Sequence, residues 1–127
     1  MSIIHTFPFA VAYADTDAGG IVYHGRYIEI AERARMDWFR GGCVPGDDIG
    51  FVVRELHIKY IQPLKLGDEF VVETVITHVG AASMDLQQKF VRGDEICAIL
   101  GLTVVYIDGD MRPKRIPNQI LQKVTVE

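Results

Sequence analysis

The spacing of hydrophobic and polar residues changes period along the chain. Residues 3–13 place Ile4, Phe7, Phe9, Val11 and Tyr13 in a run rich in β-formers, and Pro8 marks it as an irregular or edge strand. Ala14-Asp15-Thr16-Asp17-Ala18-Gly19-Gly20 then has the chemistry of a loop. From about Tyr23 to Arg40 the period becomes helical. Tyr27, Ile30, Ala31, Ala34, Trp38 and, one position out, Phe39 form an apolar stripe, with Glu29, Arg33, Arg35, Asp37 and Arg40 mainly elsewhere. Glu29 and Arg33 are spaced as a favourable i,i+4 pair, and Gly41-Gly42 should end the helix.

After Gly50 the pattern is that of strands. They are expected over 51–61, 69–79, 83–92 and 95–107, broken at 63–68, 80–82 and 93–94. Met84, Leu86, Gln88 and Phe90 alternate with Asp85, Gln87, Lys89 and Val91, so this strand should bury one face. One strand, one long helix and four strands at hairpin spacing favour antiparallel neighbours. The expected class is α+β, one helix against a five-stranded antiparallel sheet.

Composition adds limits to this picture. A chain of 127 residues that is 49% hydrophobic can build one cored domain, expected over 1–127. A net charge of −4 argues against nucleic acid or an anionic membrane as a general partner, so an anionic ligand needs a local basic patch. Residues 1–6 have no basic or long apolar stretch, and the uncharged run 96–107 is far short of the roughly 20 residues of a spanning helix. A cytoplasmic protein is expected. Cys43 and Cys97 lack metal-ligand spacing and read as buried reduced thiols, with no metal and no cofactor implied.

Candidate chemistry concentrates in 13–35, YADTDAGGIVYHGRYIEIAERAR. Here a carboxylate-bearing loop with two glycines leads into the start of the only long helix. Glycines allow close backbone approach, and a helix start offers unpaired N–H groups suited to a developing oxyanion. A plainer reading makes Asp15 and Asp17 turn residues and the glycines a chain reversal. A metal at the D-x-D pair is a weak alternative, because no further acidic ligands cluster nearby.

The string Tyr13, Asp15-Thr16-Asp17-Ala18-Gly19-Gly20-Ile21-Val22-Tyr23-His24 and Glu32-Arg33-Ala34-Arg35 resembles the signature of the 4-hydroxybenzoyl-CoA thioesterase family. It is especially similar to the branch containing the Tol–Pal-associated acyl-CoA thioesterases, departing in the central run only by Ile21 for valine. Looser similarity includes Gly67-Asp68 and 112–117. The resemblance implies a hotdog fold, a five-stranded antiparallel sheet wrapped around a central helix. It also implies an acyl-CoA substrate and a homo-oligomer, dimer or tetramer, whose sheets join edge to edge with the sites at the interface.

By the same resemblance Asp17 is the catalytic carboxylate, as nucleophile or as general base on water, with His24 and Tyr13 assisting. Gly19, Gly20 and Tyr23 fall among substrate or oxyanion groups, with backbone N–H near Tyr23 and His24 polarising the carbonyl. Arg112, Lys114 and Arg115 form the dense basic cluster and become candidates for coenzyme A phosphates; a solvated tail is the plain alternative. Glu32 has a rival claim as the carboxylate but reads more easily as half of an ion pair with Arg33 or Arg35. Asp15 is assigned to the turn, and His5, His57 and His78 to structural or exposed roles. Two other functions stay open: an acyl-thioester hydratase or dehydratase, which lacks support from an H-F-P-x-x-P-type motif, and a non-catalytic acyl-CoA-binding module.

Overall fold

The computed structural model describes residues 2–39 and 44–124. Its first strand, β1 (His5–Ala10), is shorter than the expected 3–13. The Val11 N–H donates to the Asp68 carbonyl at 2.9 Å, and the chain enters a single 3₁₀ turn at Tyr13–Asp15. The elements that follow are α1 (Arg26–Trp38), β2 (Gly50–Tyr60), β3 (Glu69–Val79), β4 (Ser83–Arg92), β5 (Glu95–Ile107) and α2 (Asn118–Val124).

Helix α1 starts later than the expected Tyr23, because 23–25 form a turn closed by Arg26 N–H to the Tyr23 carbonyl at 2.8 Å. Its expected stop, Gly41-Gly42, lies outside the described residues, as does Cys43. The short α2 was not expected. It begins where the Pro117 carbonyl accepts from both Ile120 and Leu121, and it buries Ile120 and Val124.

All five strands form one antiparallel sheet in the order β1-β3-β4-β5-β2. The run β3, β4, β5 is the meander that hairpin spacing implies. Strand β2 departs from it: it pairs with β5, and β3 takes β1 as its other neighbour. The segment 61–68 crosses three strand spacings, roughly 14 Å at about 4.8 Å each. This places β5, buried along most of its length, at an interior position with partners on both sides. Pro8 lies on an edge strand, where its missing N–H leaves no ladder bond unmade.

Met84, Leu86, Gln88 and Phe90 are buried as the alternation predicts. With Tyr27, Ile30, Ala31 and Ala34 of α1 and residues of β3 and β5, the apolar members form the core. Gln88 is the polar crossing point. Its Nε2 donates to the Ala31 carbonyl (3.0 Å) and Thr74 Oγ1 (3.2 Å), and its Oε1 accepts from Arg35 (2.9 Å). A fully buried amide is thereby satisfied, and it fixes the helix on the sheet.

Two expected ion pairs are corrected. Glu29 pairs with Arg26 rather than Arg33, because Arg26 at the helix start reaches it across one turn. Glu32 is exposed and bonds neither Arg33 nor Arg35 among the described residues; it acts on Arg35 only through space, while burial pulls that guanidinium below its ordinary value. The single histidines are structural or exposed: His5 bonds Asp37 at 2.9 Å, the His57 ring lies against Gly101, and His78 is exposed.

The sheet is incompletely covered. Val53, Leu56 and Tyr60 of β2 pair with the core residues Val104, Leu102 and Ala98, yet all three are exposed. Between Val53 and Leu56 on one side and Ile28, Met36 and Trp38 of α1 on the other lies an open cleft of about 1120 Å³. No helix among the described residues is long and apolar enough to cross a membrane.

Candidate active site

Residues 11–26 are organised by one buried carboxylate. Asp15, 3% exposed, accepts from Ala12 N–H through Oδ2 and from Arg26 Nε through Oδ1, both at 2.8 Å. Its backbone carbonyl accepts from Tyr23 N–H at 2.9 Å. The residue therefore holds the entry turn, the exit strand and the first residue of α1 together. The Asp15 hydrogen bond raises the Arg26 pKa above its ordinary value.

Beyond this clamp the loop folds back on itself. Thr16 and Val22 bridge, Asp17 N–H donates to the Ile21 carbonyl (2.9 Å), and Gly20 N–H donates to the Asp17 carbonyl (3.0 Å). Gly20 has φ 82°, a left-handed conformation that disfavours other side chains. Gly19 N–H donates to Asp17 Oδ1 at 2.8 Å, and a Cβ there would sit 3.3 Å from that oxygen. Asp17 is thus an exposed carboxylate at the loop tip, held by the backbone it folds over.

The N–H groups of Gly19, Gly20 and Tyr23 are all spent inside the loop. They shape it and are not free donors for an oxyanion. The N–H groups of His24 and Gly25 are different: among the described residues neither has a protein acceptor. They stand at the start of α1, where Gly25 is the N-cap residue. The Tyr23 and His24 rings are in contact, centroids 4.3 Å apart. Tyr13 is 82% exposed and contributes its carbonyl to the turn, accepting from Thr16. Neither the Tyr13 hydroxyl nor the His24 imidazole bonds Asp17 among the described residues. Asp15 and Asp17 point to different partners, and no group of three or more His, Cys, Asp or Glu among the described residues is arranged to hold a metal ion.

A second segment supports the loop. Ile21 bridges Lys65, Val22 N–H donates to the Leu64 carbonyl (2.8 Å), and Leu66 N–H donates to the Gly20 carbonyl (3.1 Å). Asp68 holds this segment, accepting through Oδ2 from Lys65 N–H (2.8 Å) and Arg92 (2.7 Å). Arg92 also donates to the Pro63 carbonyl at 3.0 Å. The Lys65 N–H and then the Arg92 guanidinium hold the Asp68 carboxyl below its ordinary pKa. Arg26 and Arg92 carry no sequence signal that would single them out, since each is an isolated arginine whose partner is distant in the chain.

The basic cluster lies elsewhere in the chain. Arg112, Lys114 and Arg115 follow the C-terminal end of β5, where Ile107 pairs with Gly50. The Asp17 loop abuts 61–68, next to the opposite ends of β2 and β5. A strand of 13 residues separates these ends by roughly 40 Å. Lys114 Nζ is also engaged with Asp48, at 3.0 and 3.2 Å. One chain does not bring this cluster to its own Asp17.

Comparison with known proteins shows the family and the fold. Residues 11–124 match the family described as the thioesterase-like superfamily. The chain belongs to this superfamily, as a thioester hydrolase with an α+β fold of the hotdog type. It is similar to the acyl-CoA thioesterase YbgC of Haemophilus influenzae, 34% identical over 122 residues that span 91% of this chain and 90% of that protein. Among solved structures it is similar to a probable thioesterase from Bartonella henselae, with a TM-score of 0.82 at 29% identity over 89% of this chain and 98% of the other. A mutant 4-hydroxybenzoyl-CoA thioesterase bound to 4-hydroxybenzoyl-CoA shares the fold, with a TM-score of 0.85 at 16% identity over 94% and 97% of the two chains.

Proposed function

We propose that the protein hydrolyses acyl-CoA thioesters to the free acid and coenzyme A, with Asp17 as the catalytic carboxylate. One observation carries this reading: an exposed carboxylate at the tip of a braced loop precedes a helix start that holds two free N–H donors, His24 and Gly25. Thioester hydrolysis needs little more. The thiolate leaves readily because a thiol has a pKa of about 8.5. What remains is a nucleophile or activated water, and donors for the oxygen that becomes negative. Asp17 either attacks the carbonyl carbon, giving a mixed anhydride that water then opens, or takes a proton from the attacking water. Likeness to the acyl-CoA thioesterase YbgC supports the coenzyme A thioester as substrate class.

The working unit in this reading is a homo-oligomer, at least a dimer, in the cytoplasm. The uncovered apolar side of β2 and the open cleft beside it support association. A role for Arg112, Lys114 and Arg115 on the coenzyme A phosphates then requires the cluster of a neighbouring copy. The test is a hydrolysis panel of short-, medium- and long-chain and aromatic acyl-CoAs, read by thiol release, with Asp17→Asn beside the wild type. Asn keeps the size of the side chain and an acceptor for Gly19 N–H but loses the charge. Turnover by the wild type and none by the variant is expected. A variant within tenfold of wild type would move the chemistry away from Asp17.

A further inference from the structure

The hydroxyl of Tyr60, the last residue of β2, donates to the backbone carbonyl of His24 at 2.7 Å. This carbonyl lies outside the helical ladder, since α1 begins at Arg26 and the first intrahelical acceptor is that of the N-cap residue, Gly25. It belongs to the peptide unit whose N–H is that of Gly25. The phenol therefore grips one end of a peptide plane whose other end is an unpaired donor at the start of α1.

The surroundings fix both partners. The Tyr60 ring packs edge-on to that of buried Tyr27, the second residue of α1, with centroids 5.1 Å apart at 80°. On the other side, a Cβ at Gly25 would meet the Tyr23 ring at 3.0 Å, so glycine lets that ring lie close over the peptide. The Tyr23 N–H is in turn held by the Asp15 carbonyl. Donation to an amide carbonyl also polarises the amide and makes its N–H a better donor, by roughly 10–30% per bond in a chain.

We propose that Tyr60 is a positioning residue for the oxyanion donors: its hydroxyl orients and polarises the His24–Gly25 peptide so that Gly25 N–H serves the thioester oxygen together with His24 N–H. The inference rests on the active site proposed above. It assigns Tyr60 no proton transfer, because its proton is committed to the His24 carbonyl.

The test is Tyr60→Phe, which keeps the ring against Tyr27 and removes only the donor. The expected result is a fall in kcat of about tenfold with KM within about twofold, less than the 10²–10³ typical of losing a whole oxyanion donor. A pH profile separates this from a general loss of order. Desolvation pushes the Tyr60 phenol above its ordinary value near 10. As the phenol ionises it ceases to donate, so wild-type kcat falls on that alkaline limb, while Tyr60→Phe lacks the limb. A ring-fluorinated tyrosine at position 60, more acidic than tyrosine, should move the limb to lower pH. A Tyr60→Phe kcat within twofold of wild type, or a limb that persists in the variant, overturns the inference. Measuring Asp17→Asn in the same series keeps the two readings apart. An inactive Asp17→Asn beside a fully active Tyr60→Phe removes only the role of Tyr60, whereas a wild type that turns over no acyl-CoA removes the function on which that role depends.

Discussion

Arg26 Nε and Asp15 Oδ1 meet at 2.8 Å across the base of the active-site loop, joining the first residue of α1 to the turn that precedes the Asp17 hairpin. The Asp15 side chain is 4% exposed and that of Arg26 29%, so the pair is half enclosed by protein. Asp15→Asn keeps an acceptor for Ala12 N–H but leaves the guanidinium without its main partner. The expected loss is on the order of 2 kcal/mol, below the 3–5 kcal/mol of a fully buried broken pair because water reaches Arg26. Urea unfolding at matched protein concentration measures it. Hydrolysis should fall too, since the same residue fixes Tyr23 and with it the helix start. A variant as stable as wild type would show that the pair organises nothing.

Association should be visible in solution. An eleven-residue edge strand with exposed Val53, Leu56 and Tyr60 is a template for pairing unless something covers it. Light scattering at micromolar concentration should give at least a dimer. Replacing Leu56 and Val53 together by lysine should shift it towards monomer and lower activity. A wild-type monomer under these conditions would contradict the expectation.

The segment that braces Gly20 and Ile21 has its own pH signature. Asp68 has a depressed pKa in the folded chain, owing first to Lys65 N–H and then to Arg92. A carboxylate depressed in the fold stabilises fully above its unfolded pKa, about 3.9, and that contribution disappears as pH falls through the lower folded value. Asp68→Asn should therefore be less stable than wild type from about pH 5 upward, with the gap closing below about pH 3.9. Urea midpoints across pH 2–7 check this. A gap that stays constant with pH would mean that the charge of Asp68 is irrelevant and only its hydrogen-bond geometry counts.

Much of this fold was legible because its signals are local. The period-2 pattern of 83–92 and the β-branched run of 95–107 match β4 and β5 in extent, and the helical stripe 27–34 names the buried face of α1. What the pattern misses is set by distant partners. Hairpin spacing cannot show that β2 prefers β5 to β3, because that choice depends on covering β5 from both sides. Likewise Asp15 reads as a turn residue until Arg26 folds against it, and Arg92 reads as a strand end until it meets Asp68 and Pro63. The loop motif pointed to Asp17 and to the helix start. Which N–H groups are free depends on hydrogen bonds that only the folded loop reveals.

Position 24 allows backbone and side chain to be separated. His24 N–H has no acceptor among the described residues, while its ring lies exposed against Tyr23. If the N–H is the main donor to the thioester oxygen, His24→Ala should weaken hydrolysis modestly and leave clear turnover. His24→Pro also lacks the imidazole and in addition removes the N–H. Position 24 precedes the helix ladder and proline is tolerated near a helix start, so the local fold can accept it. The proline variant should fall roughly a further hundredfold below the alanine variant, the scale of one lost oxyanion donor. Gly25 N–H, still present in both, sets a floor above zero. Matched circular dichroism and oligomer size must come first, because proline also restricts Tyr23, whose N–H is held by Asp15. Equal rates in two folded variants would eliminate the backbone donor at position 24. Loss of all activity in the alanine variant would instead give the imidazole the essential role.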